Sequence, residues 1–400
     1  MSLHIPSTLT HLLRHSARAL SRSDVPHEHE NARPHSSLFE ESSSQQRDKE
    51  DFPMISECAI HLELLEAFQS LRGRVTTSKK LTKVLGRMIG CSRYSILHGR
   101  IDASQIWHQF LSLAVTRFQH WIQAVDHRLE VKHTEEKDEP CLLPPLDILM
   151  VWHAFLLNPY DFARFCSTNH LSHIRAISFP WKAIHQALSQ DTWSYTLPSS
   201  AATWLRNGLS IAPDLITALQ GNEITNASAA TTITPPEHSP LIDNVLRQAV
   251  FIDKMHDFLW IRSPALQGTL ARALTRYERF INLFRLQPGT ILVPTLDVDL
   301  VWHTHLCSAT TYEESMLERT GRYINHDDKL EEGVLSDGFD TTGRLYEAAT
   351  GESYGGCFCW NCEAMRSAKE EAGGEIDADL RRKIELEVDC YWQAEIRRRK

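Results

Sequence analysis

Pro294-Thr295-Leu296-Asp297-Val298-Asp299-Leu300-Val301-Trp302-His303-Thr304-His305 is the stretch on which the reading of this chain turns. Two carboxylates, an indole and two imidazoles crowd a short apolar run. The stretch has an echo: Leu146-Asp147 and Val151-Trp152-His153 repeat its Leu-Asp and Val-Trp-His at the same internal spacing. The likeness extends upstream, where Val115-Thr116-Arg117-Phe118-Gln119-His120-Trp121 resembles Leu274-Thr275-Arg276-Tyr277-Glu278-Arg279-Phe280. The offsets are 159 for these runs and 150 for the motifs, because the first connecting loop is longer. A duplicated helical unit accounts for both.

Three- and four-residue apolar steps dominate the rest and predict a mainly α fold. Cys58, His61, Leu62, Leu65, Phe68 and Leu71 share one helix face running to about Arg72. Further helices are expected over 104–128, 241–262, 270–286 and 376–398, with a short one near Leu345–Ala349. The Gly- and Asp-containing stretch Gly321–Gly343 and the polar run Glu130–Glu139 read as loops. The expected organisation is a disordered leader (1–53), a first helical unit (54–180), a connector (181–240) with a linker near 226–240, a second helical unit (241–365) and a charged C-terminal helix (366–400). The architecture is thus two related helical units with a Cys-containing C-terminal segment.

Composition narrows the function classes. Hydrophobic residues at 42% and charged residues at 23% suit an ordinary water-exposed fold with a sizeable core. The net charge of −9, with one compact basic cluster at Arg397–Lys400, argues against nucleic-acid binding. The most apolar window, Leu142–Leu157, is broken by Pro144, Pro145, Asp147 and His153 and is too short to cross a bilayer. Nine cysteines without a secretory signal read as reduced thiols in a cytoplasmic protein. The acid-free start, with Arg14, Arg18 and Arg22 at helical spacing, keeps a mitochondrial transit peptide as the alternative.

The two copies can be compared directly. Both retain Asp147/Asp297, Trp152/Trp302 and His153/His303, which points to structural roles: the Asp as a helix N-cap, the Trp as core. Only the second copy has Asp299 and His305, where the first has Leu149 and Phe155. On a helix, Asp299 and His303 lie about 40° apart and are neighbours, able to share a metal ion. His305 lies about 200° from His303, so a joint site needs the helix to end or bend there. The second candidate is Cys357-Phe358-Cys359-Trp360-Asn361-Cys362, three thiols within six residues that suit zinc. A fourth ligand would have to fold back from His303, His305, His326 or Cys390.

The runs Cys58–Phe68, Pro294–Leu306, Tyr323-Ile324-Asn325-His326-Asp327-Asp328-Lys329 and Cys357–Glu363 together resemble the fungal branch of the glycine-rich-domain-containing protein family, also found in plants. The resemblance implies a largely helical body bearing the D-x-D-x-x-W-H-T-H motif and the Cys cluster, here without the glycine-rich tail. Some fungal relatives carry the label of 2-oxoglutarate-dependent dioxygenases, which hold iron with two histidines and a carboxylate on a β-barrel scaffold. Asp299, His303 and His305 match that set in ligand type only.

Three functional readings stay open. The first is a helical scaffold or regulatory protein that binds a metal ion, zinc among the candidates, or a small ligand in its second unit. The second is a metal-dependent enzyme, oxygenase or hydrolase, using Asp299, His303 and His305. The third is an adaptor that holds a protein partner through the C-terminal helix.

Overall fold

The computed structural model describes residues 38–39, 51–92, 94–95, 101–132, 142–221 and 239–399. The basic N-terminal run and most of the expected leader, the polar loop with Cys141 and most of the expected linker lie outside the described residues. What is described is mainly α. There is no β-strand among these residues, only an isolated antiparallel bridge between Leu188 and Tyr195.

The first helices are α1 (Ile55–Thr77), α2 (Lys79–Met88), α3 (Ala103–Lys132), α4 (Leu146–Leu156) and α5 (Pro159–Thr168). Short helices follow in the segment where the sequence is least periodic: α6 (Ser172–Ala176), α7 (Trp181–Ala187), α8 (Ser199–Leu209) and α9 (Leu215–Gly221). Next come α10 (Pro240–Phe258), α11 (Leu266–Leu286), α12 (Leu296–Leu306), α13 (Ala309–Thr320), α14 (Glu332–Thr350), α15 (Trp360–Ala372) and α16 (Ala378–Arg398). A 3₁₀ turn, Trp260–Arg262, separates α10 from α11.

Helix α1 is the axis of the molecule. It packs against α3, α7, α10, α11 and α12, so nearly its whole circumference is covered, as expected of a helix buried on all sides. Its polar residues are answered in kind. Glu57 closes a capping box on the Met54 amide at 2.9 Å. Buried Glu63 meets His185 at 2.6 Å and buried Glu66 meets His256 at 2.9 Å. Because α1 touches helices of both expected units and α10 packs on α4, one apolar core runs through both.

Two packed helix pairs flank α1. The pair α3–α4 carries the first Leu-Asp…Trp-His element and α11–α12 carries the second. In each, an Arg near the middle of the longer helix grips the Asp of the shorter: Arg117 Nε donates to Asp147 Oδ2 and Arg276 Nε to Asp297 Oδ2, both over 2.7 Å. The expected capping role of the two Asp residues is therefore corrected. The N-cap positions are Pro145 and Thr295, and each Asp sits two residues further on, inside the first turn, with its carboxylate turned to arginine. Arginine wins because both carboxylates are buried, where an ionised oxygen needs a charged partner more than a backbone amide does.

The expected loop over 321–343 is also corrected from Glu332 onward, where the 19-residue helix α14 begins. Its glycines hid it, yet one of them serves packing. A Cβ on Gly338 would come within 2.7 Å of Val293 Cγ2, so glycine lets α14 lie against the segment leading into α12. The C-terminal region is a hairpin of α15 and α16, not a single helix. It lies on the body: Arg398 donates to the Asp191 carbonyl at 3.1 Å and Arg399 to the His256 carbonyl at 2.9 Å. No helix among the described residues is long and apolar enough to cross a membrane.

Candidate metal centre

Helix α12 starts after Pro294 and extended Thr295, with Asp297 and Asp299 in its first turn and His303 and His305 in its last. Acids at the N-terminus and imidazoles at the C-terminus both suit the helix dipole. The entry to α12 is held by Arg276, whose guanidinium also reaches Thr295 Oγ1 at 3.1 Å and the Tyr354 carbonyl at 2.7 Å. Thr295 N–H in turn donates to Tyr354 Oη at 3.1 Å.

Asp299 and His303, one turn apart, face the same way, and Asp299 Oδ1 lies 3.2 Å from His303 Nε2. A third group arrives from outside the helix. His326, in the irregular segment between α13 and α14, places its Nε2 3.0 Å from His303 Nε2 and 3.6 Å from Asp299 Oδ1. The point equidistant from these three atoms lies about 1.9 Å from each, close to the roughly 2.0–2.2 Å usual for zinc with nitrogen and oxygen ligands, so these three residues could hold such an ion.

The site is held in shape by its surroundings. His326 Nδ1 lies 3.1 Å from the Leu157 carbonyl, which can only accept, so this nitrogen carries a proton and Nε2 is the atom turned toward Asp299 and His303. Trp302 Nε1 donates to Tyr312 Oη at 3.0 Å, and Tyr312 Oη donates to the Ile324 carbonyl at 2.9 Å. The motif tryptophan thus fixes the segment that delivers His326. Asp328, just beyond, accepts from Arg247 Nε at 2.9 Å. Phe251 closes the site on one side, its ring centroid 4.4 Å from that of His303.

Electrostatically the trio is a negative centre ringed by imidazole. Burial works to raise the Asp299 carboxyl, but the charge and hydrogen bonds of His303 and His326 outweigh it and hold the group ionised, well below the usual carboxylate range. Burial pushes the His303 imidazole down against the pull of Asp299, whereas at His326 the Asp299 carboxylate overcomes burial and raises the ring. Two imidazole nitrogens and a carboxylate oxygen therefore converge on one point. One divalent cation satisfies such a set.

The sequence places Asp299 and His303 together, and the structure does the same. It does not bring in His305. The helix continues regularly through Leu306, so His305 points to the opposite side, 2.9 Å from the Tyr277 hydroxyl and beside Phe52. Burial drives its pKa down to about 3, which leaves a neutral core ring. His326 is the residue missed as a partner of Asp299. It stands 23 positions beyond His303 on an irregular segment, and no local spacing links the two.

At the first Leu-Asp…Trp-His element the corresponding histidine is used differently. His153 pairs with His61 from α1 over 2.8 Å between their Nε2 atoms, and His61 Nδ1 lies 2.9 Å from Thr304 Oγ1. Leu149 stands where Asp299 would supply charge, and burial lowers His153 to about 3. Among the described residues, the metal-type set occurs at the second Leu-Asp…Trp-His element and not at the first.

His326 lines a cleft of about 620 Å³ whose walls include Tyr160, Asp161, Arg164, Tyr323 and Lys329. Asp299 keeps 21% of its side chain exposed. The three thiols of Cys357, Cys359 and Cys362 gather elsewhere, with all their sulfurs within 4.8 Å of one another. None of the fourth ligands expected from sequence joins them; His303 and His326 are committed to Asp299.

Residues 182–315 match the family described as Glycine-rich domain-containing protein-like. That segment, about a third of the chain, is similar to the family. The chain is 25% identical to Glycine-rich domain-containing protein 1 of Arabidopsis thaliana over 257 residues, covering 60% of this chain and 28% of that protein. To Glycine-rich domain-containing protein 2 of the same plant it is 24% identical over 302 residues, covering 72% and 35%. The matches thus span about a third of the length of these relatives. No solved structure matches the chain. The family match takes in Arg276, Asp297, Asp299, His303 and His305 and ends before His326 and the Cys cluster.

Proposed function

We propose that this chain is a helical scaffold whose second unit binds one divalent transition-metal ion through Asp299, His303 and His326. The observation that carries the reading is the triangle of 3.0, 3.2 and 3.6 Å formed by their ligand atoms. Its support is the donor set of two imidazoles and one carboxylate, with one imidazole oriented by a backbone carbonyl. Three protein ligands leave coordination positions open.

A metal-dependent enzyme is the second reading, favoured by the cleft that His326 borders, which is large enough for a small molecule. Metal titration of the full chain tests the proposal. The wild type should bind zinc, manganese or iron(II) with one equivalent lost in Asp299→Asn and in His326→Gln but kept in His305→Ala. Equal binding by all four proteins would refute it. Turnover or ligand capture that depends on that equivalent would move the enzyme reading to first place.

A further inference from the structure

The Cys-x-Cys-x-x-Cys run lies at the start of α15. Cys359 is the N-cap, Cys362 the third helical residue, and Cys357 sits two residues upstream. All three thiols are free. The spacing wraps the chain around one point, so that three sulfurs share a small volume at the positive end of a 13-residue helix.

The loop that carries them is fixed by bonds that do not involve sulfur. Trp260 Nε1 donates to the Phe358 carbonyl at 2.9 Å, and Trp360 Nε1 donates to the Phe258 carbonyl at 2.7 Å. These reciprocal bonds lock the loop onto the end of α10. Arg366 ties down the Cys357 carbonyl at 2.7 Å and pairs with buried Glu363, which also meets Arg272 at 2.5 Å. A pinned loop with three convergent soft donors is preorganised for a cation.

We infer that Cys357, Cys359 and Cys362 hold a second metal ion, a soft divalent cation of the zinc class, independent of the Asp299 site. Three thiolates in so small a space repel one another unless a cation intervenes. A bound divalent ion removes that penalty and deprotonates all three. Among the described residues no fourth His, Cys, Asp or Glu joins the trio. A tetrahedral ion there completes its shell with water or with a donor from elsewhere, and the exposure of Cys357 leaves that position accessible.

Cobalt(II) is the probe. Added to the reduced full chain, it should give an intense sulfur-to-cobalt charge-transfer band at one equivalent, and zinc should bleach it. Cys359→Ser should lose most of the band, while Asp299→Asn and His326→Gln keep it, which separates this site from the proposed Asp299 centre. Because the tryptophan and arginine bonds hold the loop without sulfur, the Ser variant should retain the wild-type circular dichroism. As a second readout, zinc should slow thiol modification of these cysteines at least about 10-fold. An absent band, a band that survives Cys359→Ser, or thiol reactivity indifferent to zinc would overturn the inference.

Discussion

Arg276 donates through Nε to Asp297 Oδ2 over 2.7 Å, and the bond sits under the helix that presents Asp299 and His303. Arg117 and Asp147 repeat it at the same length and burial in the other helix pair. Removing one partner strands a buried charge, so Arg276→Ala or Asp297→Ala should each cost about 3–5 kcal/mol in denaturant unfolding. Arg117→Ala should cost a similar amount. A double replacement, Arg276→Met with Asp297→Leu, should recover most of the loss, since a matched apolar pair carries no unpaired charge. A double variant less stable than either single one would show that these arginines act through their backbone carbonyl contacts instead.

Trp302 links α12 to the His326 segment through Tyr312. Trp302→Phe keeps most of the core volume but removes the N–H, so stability should fall by about 1 kcal/mol. Metal affinity should fall by roughly 10–100-fold, as for other residues that orient ligands. His305→Ala should give the opposite pattern. It leaves the buried Tyr277 hydroxyl without its imidazole partner, at a cost of about 1–3 kcal/mol, with metal affinity unchanged. Parallel titration and unfolding of the two variants checks the assignment, and it fails if His305→Ala loses metal.

These two residues mark how far the sequence could be read. Period alone placed the long helices and the facing pair Asp299–His303, because four-residue spacing on a helix is a strong geometric statement. It also showed that His305 needed a bend, and α12 has none. His326 was out of reach because nothing local ties an irregular segment to a helix 23 residues earlier. The Arg–Asp pairs were within reach: both similar stretches have the Arg in Val-Thr-Arg/Leu-Thr-Arg and the Asp in Leu-Asp, and a charge that recurs together with an opposite charge suggests pairing more strongly than capping. Helix α14 was hidden by Gly333, Gly338 and Gly343, residues that speak against helix unless packing demands them.

Gly333 and Gly338 test that last point with opposite signs. Gly333 has open space around it, so Gly333→Ala should stabilise the chain by about 0.5–1 kcal/mol through helix propensity. Gly338→Ala should destabilise it by about 1–3 kcal/mol, because the new methyl meets Val293. Thermal or urea unfolding of both variants suffices. Stabilisation by Gly338→Ala would mean that α14 is free to shift off the α12 entry segment.

Burial raises the Glu387 carboxyl on α16 to about 7. Its folded value lies above its unfolded one, so the stability is fully present below about pH 4.5 and is lost as pH rises through 7. The group is partly open to water, so screening reduces the effect to the order of 1 kcal/mol. Glu387→Gln should therefore be more stable than wild type at pH 8 and no more stable at pH 4. An unchanged difference across that range would contradict the shift.

The proposed metal site at α12 is tested most directly by X-ray absorption on the zinc-loaded full chain with Cys357, Cys359 and Cys362 all replaced by Ser, which removes every sulfur ligand of the other proposed site. The account predicts one zinc with a shell of nitrogen and oxygen near 2.0–2.2 Å and the outer-shell signature of two imidazoles, absent when Asp299→Asn and His326→Gln are added. A triple-Ser chain that retains no zinc, or whose zinc signal survives the loss of Asp299 and His326, would contradict it.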